Sequence, residues 1–138
     1  MTEEEAYDQL TAWSLGLSRK GFTHQLVVDC WTLQQADPRT KPIAVFFALV
    51  TLFLHVEKGF SGLQAQAVHL QLARHKETWP RFVLPESRGS IRANDVLAAA
   101  EGPDRLALVE AWCAELWSCY GETQRVVAEF LTRRGIGR

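Results

Sequence analysis

The sequence predicts an all-α fold: a single-domain bundle, residues 1–138, of five or six helices around one buried central helix at residues 43–58. Three observations predict it. The central stretch lies between Pro42, a favoured first helical residue, and Gly59, a favoured helix terminator. Its apolar part contains a single polar side chain, Thr51, and a helix that is apolar on every side has to be enclosed by other helices. The flanking segments repeat apolar residues at intervals of three and four, which is the helical period.

The segments before the central helix predict two helices. The first starts at a capping box that begins with Thr2, and it ends near Gly16. A turn at residues 20–22 leads to a second helix, which starts at Thr23 and ends before Pro38 because proline pushes the preceding residue out of helical conformation. We expect the second helix to bury a largely apolar set of side chains: Leu26, Val27, Cys30, Trp31 and Leu33.

The segments after the central helix begin with residues 63–76. Their polar and apolar positions alternate almost like a strand, but alanine, glutamine and leucine favour a helix. Residues 77–89 form a long connection without a clear period. Loops of this length in compact domains are usually functional or mobile. Here several large side chains predict that the connection packs onto the bundle: Trp79, Phe82, Val83 and Leu84.

The C-terminal part predicts a short helix within residues 90–100 and longer helices at about 103–120 and 122–133. Regularly spaced apolar residues mark the core side of the two longer helices. We expect Leu106 and Val126 to be among the buried positions. The four-residue tail GIGR is expected to fray.

Composition excludes several classes of function. The net charge of −1 and the isoelectric point of about 6.4 argue against nucleic acid as a partner. The apolar run of the central helix is shorter than the roughly 20 residues that span a bilayer. The N-terminal sequence MTEEEAYDQL is acidic where a secretory signal is basic, so we expect a cytoplasmic protein. Three cysteines without paired spacing predict free thiols rather than disulfides or metal ligands.

Histidines are the main candidates for chemistry. His55 forms a polar stripe with Thr51 and Lys58 on the central helix, and it could belong to a site inside the bundle or cap the end of its helix. His24 could join it from the neighbouring helix. Zinc, nickel or iron could be held by His24, His55 and His69, because imidazole suits these transition metals. The alternative for His24 and His69 is a surface position.

Asp29 could orient an imidazole or bind a basic partner. About 140° of helical rotation separates it from His24, so the two side chains would not grip one metal ion from the same helix. The alternative is a solvated helix face that Asp29 shares with Gln25 and Thr32.

The long connection is the second candidate site. Trp79, Arg81, Phe82 and Arg88 could line the mouth of a pocket or a surface for a protein partner. The same aromatic side chains could instead fold down onto the bundle as a lid.

Residues 23–35, THQLVVDCWTLQQ, resemble the segment H-x-x-x-V-D-x-[YW]-x-L-Q-H of DUF5946, a family of small bacterial proteins of unknown function. YDQL, VEKG and SRGSIRANDVLAAA also resemble that family, in the same order along the chain. By this match His24, Asp29, Trp31 and Gln34 fall on motif positions. The resemblance implies a soluble bacterial protein and supplies no activity.

Two departures from the family pattern weaken a metal site. Many members begin with a CPGCG-like element that suits a metal ion, and this chain begins with MTEEEAY. Gln35 stands where the motif ends in histidine, and glutamine is a poor ligand for transition metals.

Three hypotheses for function follow. The first is a small-ligand-binding module or an accessory protein that binds a protein partner beside the aromatic connection. The second is a metal-dependent enzyme that uses His24 and His55 and resembles, in general plan, the helical DinB superfamily. The third is a structural homodimer that associates through an aromatic face.

Overall fold

The computed structural model describes residues 1–17, 20–75 and 77–137. Over these residues the chain forms seven α-helices and no strand, so the all-α prediction is confirmed, with seven helices rather than five or six. The helices are α1 (Glu3–Leu15), α2 (Lys20–Gln35), α3 (Pro42–Leu52), α4 (Gly62–Ala73), α5 (Ala93–Ala98), α6 (Pro103–Cys119) and α7 (Thr123–Arg133).

The central helix consists of α3 and a π-helical segment, Phe53–Glu57, that continues it directly. From Val45 to Leu54 every side chain is buried except the half-buried Phe47. Thr51, the polar residue of this stretch, is fully buried with its neighbours. The predicted buried central helix is therefore confirmed for residues 45–54, whereas Ile43 and Val56 near its ends are 37% and 38% exposed. Its C-terminal part adopts the wider π form, which often occurs at functional sites.

The other helices surround this rod. α2 packs against α3, α1, α4 and α6, while α5 contacts α1 and α6, and α7 contacts α3 and the π-helical segment. α2 and α3 are thus the two inner elements of the bundle. None of the helices in the described ranges combines the length and the apolar character that crossing a bilayer requires.

Several local predictions need correction. Residues 20–22 are helical rather than a turn, because α2 starts at Lys20. α4 ends at Ala73, and its predicted end at Lys76 lies outside the described residues. Thr2 does cap α1, since its hydroxyl accepts the amide hydrogen of Glu5 at 3.1 Å.

The last two helices expose two apolar residues that the spacing assigns to the core. Leu106 is 38% exposed and Val126 is 44% exposed. Arg105 is buried beside Leu106, and its guanidinium donates to the carbonyls of Leu97 and Ala99 at the end of α5. A buried arginine is tolerated here because backbone acceptors replace water.

The prediction that the C-terminal tail frays is wrong for the tail up to Gly137. Ile136 is buried, and its amide donates to the carbonyl of Leu131 at 3.0 Å across Gly135, which has a φ of 71°. This is the glycine-containing motif that commonly ends a helix. Arg138 lies outside the described residues.

Candidate functional site

A surface cleft of about 560 Å³ opens between the α2–α3 connection (residues 36–41) and the α4–α5 connection (residues 77–92). We call it the proline cleft, because prolines stand on both of its sides. Its walls are mostly apolar, with two acidic and two basic side chains at the rim. The lining residues are Asp37, Pro38, Thr40, Pro42, Val45, Pro80, Arg81, Phe82, Val83, Leu84, Pro85, Glu86 and Arg88.

Aromatic stacking holds the outer wall of the cleft against the bundle. The ring of Trp79 lies 5.8 Å from that of Phe46, 5.1 Å from Phe47 and 6.3 Å from Phe130. Phe82 stacks on Phe46 at 6.1 Å. Trp79 is therefore placed behind the wall rather than in its lining.

Of the four large residues predicted to pack down, Trp79, Phe82 and Leu84 do so, whereas the prediction is wrong for Val83. Val83 is 93% exposed at the mouth of the cleft.

Arg88 ties the other end of this wall to α2. Its Nη1 donates to the carbonyls of Leu33, Gln34 and Ala36, the last at 2.5 Å, and its Nε donates to Pro85. These carbonyls end α2 and lack helical partners, so the cation satisfies them and faces the negative end of the helix dipole. Nη2 of Arg88 makes no hydrogen bond to any of the described residues.

Gln34 and Glu115 complete the attachment of the α4–α5 connection. The side-chain amide of Gln34 donates to the backbone carbonyls of Arg88 and Ile91. Glu115 of α6 accepts from the amides of Ser90 and Ile91 at 2.7 and 2.8 Å, and these bonds lower the pKa of its carboxyl group. Sequence reasoning missed Glu115, because a glutamate on an amphipathic helix looks like any solvated charge.

The three candidate histidines have separate partners. In the part of the chain that the structure describes, no three His, Cys, Asp or Glu side chains converge so that they could hold a metal ion. His55 contacts the carbonyl oxygen of Phe60 through Nδ1 at 2.6 Å and Glu110 through Nε2 at 2.5 Å. Both ring nitrogens of His55 therefore already have hydrogen-bond partners in this geometry.

His24 and His69 contact different helices, α1 and α3. Nδ1 of His24 is 2.8 Å from the hydroxyl of Ser14 on α1, and partial burial lowers the pKa of this imidazole. Nε2 of His69 donates to the carbonyl of Phe47 at 2.8 Å and lies 2.9 Å from the Thr51 hydroxyl. His69 is half-buried rather than on the surface, and burial lowers the pKa of its imidazole despite the bond to Phe47.

Asp29 is buried, so the solvated-face alternative is wrong for it. Its side chain is only 6% exposed, and Gln25 donates to its carboxylate at 2.8 Å. Burial raises the pKa of Asp29 to about 6, although the nearby side chains of Thr51 and Gln25 stabilise the charged form. Thr51 lies on α3, so this carboxylate is on the side of α2 that faces α3.

Trp31 joins α2 to α1. Its ring stacks on Tyr7 at 4.5 Å with an interplanar angle of 5°. The four motif residues of α2 therefore face different neighbours: His24 and Trp31 face α1, Asp29 faces α3, and Gln34 faces the α4–α5 connection. Only Gln34 lies next to the proline cleft, through its contact with Arg88.

Comparison with known proteins gives one match. No curated protein and no solved structure matches the chain. A family model described as a family of unknown function, DUF5946, matches residues 4–121. This range contains both connections that form the proline cleft. It also contains the candidate site residues His24, Asp29, Trp31, Gln34, His55, His69, Trp79 and Arg88. Since the match covers most of the sequence, the chain belongs to the DUF5946 family.

Proposed function

We propose that the protein is a small-ligand-binding module and that the proline cleft is its binding site. The observation that carries the proposal is the cleft itself. Its volume of about 560 Å³ falls in the range of small-molecule sites, about 300–1,000 Å³, and its lining is mainly apolar with a few polar groups, as such sites usually are.

The walls of the cleft are fixed before any ligand arrives. Trp79 anchors one end of the outer wall through three aromatic contacts, and Arg88 anchors the other through backbone carbonyls. A site that is already ordered loses less conformational entropy on binding than a mobile loop does. The exposed Val83 at the mouth offers apolar surface that a ligand would cover.

The proposed ligand is a small apolar molecule that carries a carboxylate. Arg88 lines the cleft and keeps Nη2 free of bonds to the described residues, while Arg81 adds a second cation at the rim. Guanidinium groups form charge-assisted hydrogen bonds to carboxylates, and Nη2 of Arg88 has the N–H groups for such a bond. Asp37 and Glu86 at the same rim disfavour ligands with several negative charges.

The experiment compares 4-phenylbutanoate with its amide as probes, by thermal shift and calorimetry. We expect the acid to bind more tightly than the amide. Val83→Asp should weaken binding of the acid about fivefold or more, because it adds a repelling charge at the mouth.

Val126→Asp is the matched control, since Val126 is a partly exposed valine outside the cleft lining. Equal binding by both variants and the wild type would place the site elsewhere. Failure of acid and amide alike to bind would contradict the proposed ligand class.

A further inference from the structure

The bundle core contains two cysteines in direct contact. Cys30 on α2 and Cys113 on α6 are both fully buried, and their sulfur atoms lie 3.4 Å apart. A disulfide has a sulfur–sulfur distance of about 2.05 Å, so the two atoms need to approach by only about 1.4 Å. The third cysteine, Cys119, is partly exposed at the end of α6 and supplies an internal comparison.

The surroundings keep Cys30 in its thiol form at rest. Burial, the Cys113 thiol and the negative charges of Asp29 and Glu110 all raise the pKa of the Cys30 thiol. A metal ion needs thiolates, and so does fast reaction with alkylating reagents. The Cys30 thiol, in contact with the Cys113 sulfur and shielded from solvent, remains available for slow oxidation by a small oxidant.

We propose that Cys30 and Cys113 form a reversible disulfide when a small peroxide reaches the core, so that oxidation covalently joins α2 to α6. The two helices already pack together and hold the sulfurs in place. Only a small oxidant has access, because both side chains are fully buried and the packing of α2 and α6 has to open transiently.

The reaction balances with hydrogen peroxide as the oxidant. One thiol loses its proton during an opening, and the thiolate sulfur attacks a peroxide oxygen. An S–O bond forms, the O–O bond breaks, and the leaving hydroxide takes up the proton to give water. The second thiol then attacks the sulfenic acid, an S–S bond forms, and a second water leaves. Two thiols are oxidised, and one peroxide is reduced to two waters.

The cross-link has a structural consequence. The two cysteines are 83 positions apart in the sequence, so the disulfide closes a long loop and restricts the unfolded chain. We therefore expect the oxidised protein to unfold at a higher urea concentration than the reduced protein. Because the bond lies in the core, dithiothreitol should reduce it more slowly in the native protein than in urea.

The test treats the folded full chain with hydrogen peroxide and blocks remaining thiols with N-ethylmaleimide after denaturation. Peptide mapping should find Cys30 linked to Cys113, and the urea midpoint should rise. Cys119→Ser should behave like the wild type, whereas Cys113→Ala should form no link and show no rise in midpoint.

Cys30→Ala serves as a second variant if Cys113→Ala does not fold, and it should also lack the link. The proposal is overturned if oxidation reaches only Cys119. It is equally overturned if the Cys30–Cys113 link forms only in denaturant, because the folded bundle would then not bring the two sulfurs together productively. Binding of carboxylate probes in the proline cleft is a separate measurement, so either proposal can fail alone.

Discussion

Buried and half-buried polar side chains in the described residues find mainly uncharged partners. Arg105 and Arg88 donate to backbone carbonyls, and Asp29 accepts from Gln25. In the described ranges no ion pair involves Asp29. A carboxylate that is buried without a cation disfavours its own ionisation, which is why its pKa rises.

Asp29→Asn is therefore expected to stabilise the protein at neutral pH. The folded pKa of about 6 is above the ordinary value of 3.8, so the folded protein holds the proton more tightly than the unfolded chain. The contribution of Asp29 to stability is complete below about pH 4 and is lost as pH rises through about 6. A shift of about two units corresponds to at most roughly 3 kcal/mol.

Urea unfolding of the wild type and Asp29→Asn at several pH values between 4 and 8 checks this prediction. The variant should gain stability relative to the wild type as pH rises. Asp8→Asn is the control, because Asp8 is exposed on the neighbouring helix α1. A difference between wild type and Asp29→Asn that does not change with pH would contradict the raised pKa.

At the scale of elements, the α4–α5 connection has no regular structure of its own and is held by side chains of its neighbours. Gln34 and Glu115 bind its backbone, and Arg88 reaches from it to the end of α2. Gly89 lies at the closest approach, with a φ of +83°, and an added Cβ would meet Glu115 Oε1 at 2.2 Å. Gly89 therefore combines a left-handed backbone conformation with close contact to Glu115, which holds the connection.

Gly89→Ala should destabilise the protein more than Gly59→Ala does. Gly59 has a similar φ of +74° and nothing within 4 Å of an added Cβ, so both variants carry the left-handed strain of about 1 kcal/mol, and only Gly89→Ala displaces Glu115. We expect an additional loss of about 1–2 kcal/mol from the anchoring hydrogen bonds. Chemical denaturation of both variants measures this additional loss. Equal losses of unfolding free energy in the two variants would show that the hydrogen bonds of Glu115 do not stabilise the connection.

At the scale of the whole molecule, aromatic side chains join the connection to the bundle. Trp79 contacts Phe46 and Phe47 on α3 and Phe130 on α7, three residues that are distant from it in sequence. The proline cleft exists because this packing places residues 80–88 opposite residues 37–45. The cleft therefore forms only when the α4–α5 connection packs onto the bundle.

Trp79→Ala should lower the free energy of unfolding by about 2–4 kcal/mol, because it removes a large side chain from a partly buried aromatic cluster. It should also abolish binding of carboxylate probes in the cleft. Val83→Ala is the control and should change stability by less than about 0.5 kcal/mol, since Val83 is almost fully exposed. Unchanged stability in Trp79→Ala, with altered self-association, would instead identify Trp79 as part of a partner surface.

The amino-acid sequence by itself determined the helical fold and the central rod. The apolar run after Pro42 has Thr51 as its single polar side chain up to Leu54, so the middle of this helix has to be buried because every face of it avoids water. The resemblance of residues 23–35 to the DUF5946 motif likewise identified the family that the match over residues 4–121 shows. These features are local, so they are readable from spacing and residue type.

Only the tertiary structure decided which polar residues are buried and what they face. Asp29 is buried, His69 is half-buried, Val83 is exposed, and the three candidate histidines have separate partners. Spacing along a helix fixes which side chains share a face, but it does not fix which neighbour covers that face. The proline cleft and the Cys30–Cys113 contact join segments that are far apart in sequence, so they exist only once the helices have packed.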